Sequence, residues 1–367
     1  MKRREMLAGL AGGALAAGCS TESEQSPSSP ATAAEVRRWK MVTAWPPNFP
    51  GSGYAAEFLA RTIEDTSGGR IRVQVFAAGE LVPAFEVFDA VSRGTAELGH
   101  AVPIYWKGKI PAAQFFNGIP FGMLPMEFNA WIYYGGGQEL WDEVYAPFNL
   151  QAFSAGNTGP QMGGWFRREI NEPADFAGLK MRVPGLGGEV LKRAGATPVN
   201  LPGGELFTAL QTGAIDATEW SGPYNDLAFG LHRVAPYYYY PGWHEPAGTL
   251  ECLVNKDVYE GLPDDLRAII RSACLATNEI ILSEFTARNQ SSLRVLVEEH
   301  EVKLRRFPDA VLRRLREITV DVISELSAAD PQARRVAESY QTFQRDVRSW
   351  GEISTVAYLE ASALDRG

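Results

Sequence analysis

An arginine, two glutamates and a glutamine between positions 161 and 245 carry side chains that could bind an anion together with a cation. Arg182 follows a predicted strand and precedes a glycine-rich loop that opens a helix. An arginine there can present its planar fork to a carboxylate, and the helix N-terminal amides would add to the attraction. Glu219 ends another predicted strand, and Glu245 follows Trp243 in an aromatic run. The residue pattern alone also allows Arg182 to be a surface residue of its strand.

The two glutamates could serve as ligands of a hard cation. If buried, Glu219 and Glu245 must be protonated or compensated by positive charge. With an amide such as Gln161 and a backbone carbonyl they would suit Na⁺ or Ca²⁺ and not Zn²⁺. Four scattered histidines without HExxH-like or CxxC spacing also argue against zinc. Two carboxylates would repel a bound acid, and a cation shared between them and the acid would balance the charges.

Composition and charge restrict the classes of partner. The 367 residues are 45% hydrophobic and 22% charged, which is ordinary for a globular protein, and at this length two lobes are favoured over one. The formal net charge is −9, which argues against nucleic acid and against electrostatic attachment to anionic lipid. Any anionic ligand must therefore be held by a specific local cation.

The N-terminal segment predicts export. Residues 1–19 have a basic start, a short apolar run and a small-residue cleavage site, and are predicted to be a signal peptide. Arg3 and Arg4 resemble a twin-arginine signal, and residues 16–19 resemble a lipobox in which Cys19 carries lipid. Plain cleavage that leaves a soluble protein is the alternative. Residues 20–35 predict a flexible linker. The expected location is periplasmic or extracytoplasmic, with Cys19 as the only membrane attachment.

Two cysteines remain in the body of the chain, Cys252 and Cys274, both with apolar neighbours. In an oxidising compartment they could form a disulfide, and they could equally be buried free thiols.

The elements that must position these residues follow an α/β order. Predicted strands at 39–43, 70–76 and 97–102 alternate with helices at 54–65 and 83–93, which favours a mostly parallel, helix-covered sheet.

A second α/β unit begins near residue 151. It has predicted strands at 164–167, 180–183 and 217–220, and two predicted helices, 187–193 and 204–211, between the second and third of these strands. A cleft between two such units is the usual place for a ligand. The tyrosine run at 237–240 predicts a core strand between the lobes. A long helical stretch follows Pro263 to about His300, and the amphipathic tail could cap the body or pair with a second copy.

Motifs spread over the body in a fixed order carry a family resemblance: GELVP (79–83), GNTG (156–159), QMGGWF (161–166), KMRVPGLGGE (180–189), QTGAIDATEW (211–220), the tyrosine run through HEP (244–246) and WGEIS (350–354). In this order they resemble the DctP-type solute receptors of TRAP transporters, specifically the branch that binds 2-oxo acids together with a sodium ion.

The resemblance implies a two-lobed periplasmic-binding-protein fold with an inter-lobe cleft, a long connecting helix and C-terminal helices. Lobe I would comprise residues 36–160 plus about 248–275, and lobe II residues 161–247 plus about 276–308. Residues 309–367 would form the C-terminal helical segment, through which such receptors can dimerise.

The resemblance also assigns roles to individual residues. Arg182 would pair with the substrate carboxylate. The cation, Na⁺ or alternatively Ca²⁺, would be held by Gln161, Glu219, the Trp220 carbonyl and Glu245. The acid would chelate the cation, so that Gln161 and Glu219 also contact the substrate. The remaining predicted pocket residues are Tyr105, Trp106 and Asn157.

The implied function is capture of pyruvate or a longer 2-oxo monocarboxylate for delivery to TRAP membrane subunits, without catalysis. One alternative keeps the fold and binds a 2-hydroxy acid such as lactate with Ca²⁺. A second is a hydrolase that uses Glu219 and Glu245 as an acid/base pair. A third is a purely structural lipoprotein.

Overall fold

The computed structural model describes residues 36–364, in which eleven strands form two sheets. The signal peptide and linker predictions lie outside the described residues. The strands are β1 Arg37–Thr43, β2 Ile71–Phe76, β3 Leu98–Ala101, β4 Leu150–Asn157, β5 Gly164–Phe166, β6 Lys180–Arg182, β7 Thr197–Val199, β8 Ala217–Thr218, β9 Tyr237–Tyr240, β10 Thr249–Asn255 and β11 Lys303–Arg306.

Twelve α-helices accompany these strands in the described part of the chain. They are α1 Ser52–Thr66, α2 Val87–Ser92, α3 Pro125–Tyr134, α4 Gly137–Tyr145, α5 Gly185–Arg193, α6 Leu206–Thr212, α7 Pro223–Phe229, α8 Lys256–Glu260, α9 Asp264–Glu298, α10 Asp309–Ala329, α11 Pro331–Gly351 and α12 Ala357–Ser362. A π-helical turn joins α11 to α12. The α/β class predicted from the sequence is therefore confirmed.

The first sheet has the strand order β2-β1-β3-β10-β4. Strand β1 is parallel to β2 and β3, as the alternation of strands and helices predicts. Strand β10 is antiparallel to both β3 and β4, because the chain returns with it from the second sheet. The prediction of a mostly parallel sheet thus holds for the first three strands only.

The second sheet has the order β11-β9-β5-β8-β6-β7. Strand β6 is parallel to β7 and β8, whereas β5 is antiparallel to β8 and β9. The tyrosine run forms β9 inside this sheet, between β5 and β11, and not a strand between the lobes. Tyr238 is buried and stacks on Trp165 with ring centroids 4.0 Å apart, so sheet packing accounts for the aromatic residues.

Besides the connection from β10 through α9 to β11, two short segments cross between the sheets, residues 158–163 after β4 and residues 241–248 before β10. They pack so closely that two glycines are required. A Cβ on Gly242 would lie 2.2 Å from the Gln161 carbonyl oxygen, and a Cβ on Gly248 would lie 2.3 Å from Gln161 Nε2. The crossing segments therefore hold Gln161 in a fixed position.

The long helix α9 spans 35 residues and packs against β4 of the first sheet and against α7, which follows β8 of the second. The predicted long helix is thereby confirmed. Helices α10 and α11 pack on each other, and α10 also contacts α5. No helix within residues 36–364 is long and apolar enough to cross a membrane. Cys252 and Cys274 are buried free thiols. The exact lobe boundaries stay a prediction.

Candidate functional site

A small cavity of about 30 Å³ lies between the two sheets. Residues of the first sheet and its loops form one wall, residues that follow β6 and β8 form the other, and the crossing segments close it. The lining residues are Trp45, Ser52, Val102, Ile104, Tyr105, Thr158, Arg182, Pro184, Glu219, Trp220, Ser221, Glu245 and Leu250. Polar and charged groups thus face a mainly apolar wall, an arrangement typical of small-ligand sites.

Arg182 is buried at the end of β6, with 2% of its surface exposed. Its Nη1 donates to the carbonyl oxygen of Glu219 at 3.0 Å and also to the Glu219 carboxylate. Its Nε donates to the carbonyl oxygen of Leu201 at 3.1 Å, and its guanidinium lies 5.0 Å from the ring centroid of Trp220. The alternative of a surface strand arginine is therefore wrong.

Glu219 is shared between Arg182 and a histidine that the sequence interpretation did not single out. The second carboxylate oxygen, Oε2, lies 3.3 Å from Nε2 of His244, and both side chains are buried. Burial lowers the pKa of His244, but the hydrogen bond and negative charge of Glu219, with the charge of Glu245, outweigh it and raise that pKa overall. The only sequence signal for His244 was its place in the HEP motif.

Gln161 joins Glu245 at the crossing segments. Its Nε2 donates to Glu245 Oε2 at 3.0 Å and to Thr158 Oγ1 at 3.1 Å. Burial and the negative charge of Glu219 raise the pKa of Glu245 to about 7. The Gln161 amide oxygen is buried and has no hydrogen-bond partner among residues 36–364. A buried acceptor of this kind carries a free-energy penalty unless a donor or cation satisfies it.

These residues fit a hard cation. An unpartnered amide oxygen, two buried carboxylates and the backbone of Trp220 form an all-oxygen donor set, which Na⁺ and Ca²⁺ prefer. The described residues include no group of three or more histidine, cysteine, aspartate or glutamate side chains placed to hold a metal. An oxygen donor set of this kind is unlike the nitrogen- and sulfur-rich sites that transition metals prefer.

Of the other three predicted pocket residues, Tyr105 lines the cavity, whereas Trp106 and Asn157 do not. Tyr105 lines the cavity, its hydroxyl lies 3.5 Å from Arg182 Nη2, and burial raises its pKa to about 12. Trp106 is buried outside the cavity lining, and its Nε1 donates to Glu251. Asn157 is also outside the lining, and its Oδ1 accepts from the backbone amide of Gly159 at 2.9 Å. Pocket roles for Trp106 and Asn157 stay predictions.

Several cavity residues were not predicted from the sequence. Thr158 lies within the GNTG motif, which marks the segment but not the side chain. Trp45, Ser52 and Ser221 belong to none of the motifs; they reach the cavity from the segments that follow β1 and β8, with Ser52 as the first residue of α1. Only the packing of the two sheets brings these side chains to Arg182.

Comparison with known proteins identifies the family of the chain. Residues 41–330 match the family described as DctP, bacterial extracellular solute-binding protein, family 7. A monocarboxylate 2-oxoacid-binding periplasmic protein of Nostoc sp. strain PCC 7120 is 39% identical over 358 residues, which is 98% of this chain and 98% of that protein.

Two solved structures share the fold. A TRAP periplasmic solute-binding protein from Pseudoalteromonas atlantica T6c, with bound sodium and pyruvate, is 42% identical with a TM-score of 0.87, over 89% of this chain and 99% of that one. A TRAP solute-binding protein from Bordetella bronchiseptica RB50, a dimer with copurified calcium and picolinate, is 36% identical with a TM-score of 0.88, over 91% and 100%. The predicted two-lobed fold is thereby confirmed, and the chain belongs to the DctP family of extracellular solute-binding proteins.

Proposed function

We propose that this protein is the extracytoplasmic substrate-binding subunit of a TRAP transporter and captures a small 2-oxo monocarboxylate, pyruvate or a longer homologue, together with Na⁺ or Ca²⁺. The observation that carries the proposal is the convergence of buried Arg182, Glu219 and Glu245 around one cavity. Gln161, whose amide oxygen is unpartnered, lies outside the lining and is hydrogen-bonded to Glu245. The captured acid is handed to TRAP membrane subunits for uptake.

The charges explain why acid and cation would bind together. Arg182 is already paired with Glu219, so an acid alone would meet two carboxylates and one engaged arginine. A cation held by Glu219, Glu245, the Gln161 oxygen and the Trp220 carbonyl would supply the missing positive charge. Arg182 would orient the acid carboxylate, with Tyr105 beside it as a hydroxyl donor.

The ligands of the similar structures support a chelating acid. Pyruvate and picolinate, bound by the Pseudoalteromonas and Bordetella proteins, both carry a carboxylate next to a second donor atom. That second donor is a keto oxygen in pyruvate and a ring nitrogen in picolinate. A 2-hydroxy acid also carries a carboxylate next to a second oxygen donor, so a 2-hydroxy acid with Ca²⁺ is the second candidate. Two similar structures hold calcium, one with pyruvate and one with picolinate.

A receptor role without turnover fits the site better than hydrolysis. An acid/base pair needs one carboxyl group free to give a proton and one free to take it. Here Glu219 is bound on both oxygens, to Arg182 and to His244, and Glu245 accepts from Gln161. We therefore propose binding alone.

The C-terminal segment is proposed to pair with a second copy. It exposes a series of large apolar side chains, Trp350, Ile353, Val356, Tyr358, Leu359 and Leu364. Exposed apolar patches of this kind mark interaction surfaces, because burying them against a partner lowers the free energy. The Bordetella protein is a dimer. We also propose a periplasmic location with lipid attachment at Cys19, supported by the sequence of residues 1–19.

Thermal unfolding of the metal-stripped protein tests the function. Pyruvate, longer 2-oxo acids, lactate and a dicarboxylate are each added with Na⁺, Ca²⁺ or K⁺, since a ligand of the folded state raises the midpoint. We expect a shift that needs both a 2-oxo acid and Na⁺ or Ca²⁺. A shift with lactate and Ca²⁺ alone would select the second candidate. No shift with any pair would contradict the proposal.

A further inference from the structure

Asn225 in helix α7 is the centre of a hydrogen-bond cluster beside the ligand cavity. The side chain is fully buried. Its Nδ2 donates to the carbonyl oxygen of Pro50 at 2.9 Å. Its Oδ1 faces three donors, Ser221 Oγ at 3.1 Å, Trp220 Nε1 at 3.3 Å and Ser52 Oγ at 3.4 Å. One amide thus connects four other residues.

These four partners come from opposite sides of the cavity. Pro50 and Ser52 belong to the segment that follows β1 of the first sheet, whereas Trp220 and Ser221 follow β8 of the second. Ser52, Trp220 and Ser221 line the cavity. Helix α7 follows β8, so the hydrogen bonds of Asn225 to Trp220 and Ser221 stay on the second-sheet side of the cavity. The hydrogen bonds to Pro50 and Ser52 reach across to the first-sheet side.

Gly51 allows this close approach. Its φ is +65°, in the left-handed region that favours glycine. A Cβ at this position would lie 2.7 Å from the Phe285 ring of α9 and 3.0 Å from Asn225 Nδ2. A side chain here would therefore separate the Pro50 carbonyl from Asn225.

We propose that Asn225 is a positioning residue that fastens the closed form of the cavity by joining the Pro50–Ser52 segment to the Trp220–Ser221 wall. The inference rests on the proposed function, in which the two sides close on an acid. When the sides separate, Asn225 keeps its bonds to Trp220 and Ser221 and gives up those to Pro50 and Ser52. Asn225 therefore stabilises the closed form over the open one.

The kinetic consequence is specific. Entry of the acid into the open form does not involve the bonds across the cavity, but escape from the closed form requires them to break. Loss of buried hydrogen bonds should increase the dissociation rate by about tenfold to one-hundredfold, with the association rate nearly unchanged. The cation requirement should stay the same, because Asn225 accepts from the indole of Trp220 and not from its backbone, and is not hydrogen-bonded to the side chains of Gln161, Glu219 or Glu245.

The test compares Asn225→Ala with Asn289→Ala in the full mature protein. Asn289 on α9 accepts from the backbone amide of Tyr224 at 3.0 Å, so it supports the same helix α7 without reaching across the cavity. Stopped-flow measurements with pyruvate and Na⁺ give both rates, and small-angle scattering reports closure. We expect faster dissociation and a larger ligand-saturated radius of gyration in Asn225→Ala only.

Equal changes in both variants would show that Asn225 merely supports α7, and unchanged dissociation in Asn225→Ala would overturn the inference. If Asn225→Ala does not fold, Gly51→Ala tests the same contact from the other side and should also speed dissociation. Failure of the unmodified protein to bind any acid would instead contradict the proposed function.

Discussion

Two glutamates of this protein are equally buried and have opposite surroundings. Glu251 on β10 accepts hydrogen bonds from Trp106 Nε1 and from the Tyr145 hydroxyl at 3.0 Å, both neutral donors. Glu219, after β8, faces the guanidinium of Arg182 and the ring of His244. Burial raises the pKa of Glu251 to about 8, so this carboxyl group is largely protonated at neutral pH.

The comparison shows that burial of an acid does not by itself mark a binding site. Glu251 has donors for both oxygens and lies next to Leu250, which lines the cavity. Glu251 itself is not among the residues that line the cavity. Glu219 has a cationic partner in Arg182 and lines the cavity. A guanidinium partner at the cavity wall is what distinguishes Glu219 from Glu251.

The strongest test of this distinction removes the guanidinium group of Arg182, which pairs with Glu219. Arg182→Ala should raise the dissociation constant for pyruvate with Na⁺ by about one-hundredfold or more, because a desolvated carboxylate loses its charge-assisted partner. Titration calorimetry measures the change. Arg193→Ala is the matched control, since Arg193 pairs with Glu325 at the surface. Parent-like affinity in Arg182→Ala would place Arg182 outside the acid-binding site.

Replacing Glu219 and Glu251 by glutamine in separate variants tests the comparison directly. Glu219→Gln should weaken acid binding about tenfold and reduce its dependence on Na⁺ or Ca²⁺, because the cation loses a charged ligand. Acid affinity is measured across a series of cation concentrations, with Glu251→Gln as the control. An unchanged cation dependence in Glu219→Gln would remove Glu219 from the proposed cation site.

Glu251 should affect stability and its pH dependence but not binding. Its folded-state pKa of about 8 lies above the ordinary value of 4.5. The stability that protonated Glu251 contributes is therefore fully present below pH 4.5 and is lost as the pH rises through about 8.

Glu251→Gln should flatten that decline by up to about 1.4 kcal/mol per pH unit, the value for one proton. Urea unfolding at several pH values measures the slope. Glu245 and Asp226, whose pKa values burial also raises to about 7, would contribute the remaining decline. A slope equal to that of the parent protein would mean that Glu251 is not held neutral.

The smallest effect on binding is expected from Trp106. Trp106→Phe removes the indole donor to Glu251 and should lower the free energy of unfolding by about 1–2 kcal/mol. Acid affinity should stay within about twofold, a difference well under 1 kcal/mol. A larger change in affinity would show that Trp106 does belong to the binding pocket, as the family resemblance implies.

The sequence predicts the amphipathic elements of this fold well. Predicted helix 54–65 corresponds to α1, and predicted strand 39–43 lies within β1. Strands β4 and β10 escaped prediction because nearly all of their residues are buried. A strand buried on both faces has no alternation of polar and apolar residues, so periodicity cannot reveal it.

The site could be predicted in residue type but not in detail. Arg182, Glu219 and Glu245 stand out because charged groups in apolar surroundings need partners. Tyr105 and Trp106 are neighbours in one short turn, yet Tyr105 lines the cavity and the buried indole of Trp106 donates to Glu251 on β10. That difference depends on packing between distant elements, which residue types and spacing do not contain.

The tightly packed crossing segments have a consequence for the order of loading. Gln161 and Glu245 lie on these segments. If the two sides rotate about the crossing segments, atoms near them move least. Arg182 and Tyr105 lie on opposite sides of the cavity, away from the crossing segments, and should move apart more than Gln161 and Glu245. Gln161 and Glu245 should therefore stay together when the two sides separate, while Glu219 and Trp220 move with Arg182. A metal ion would first bind to Gln161 and Glu245, and closure would then add Glu219, Trp220 and the acid.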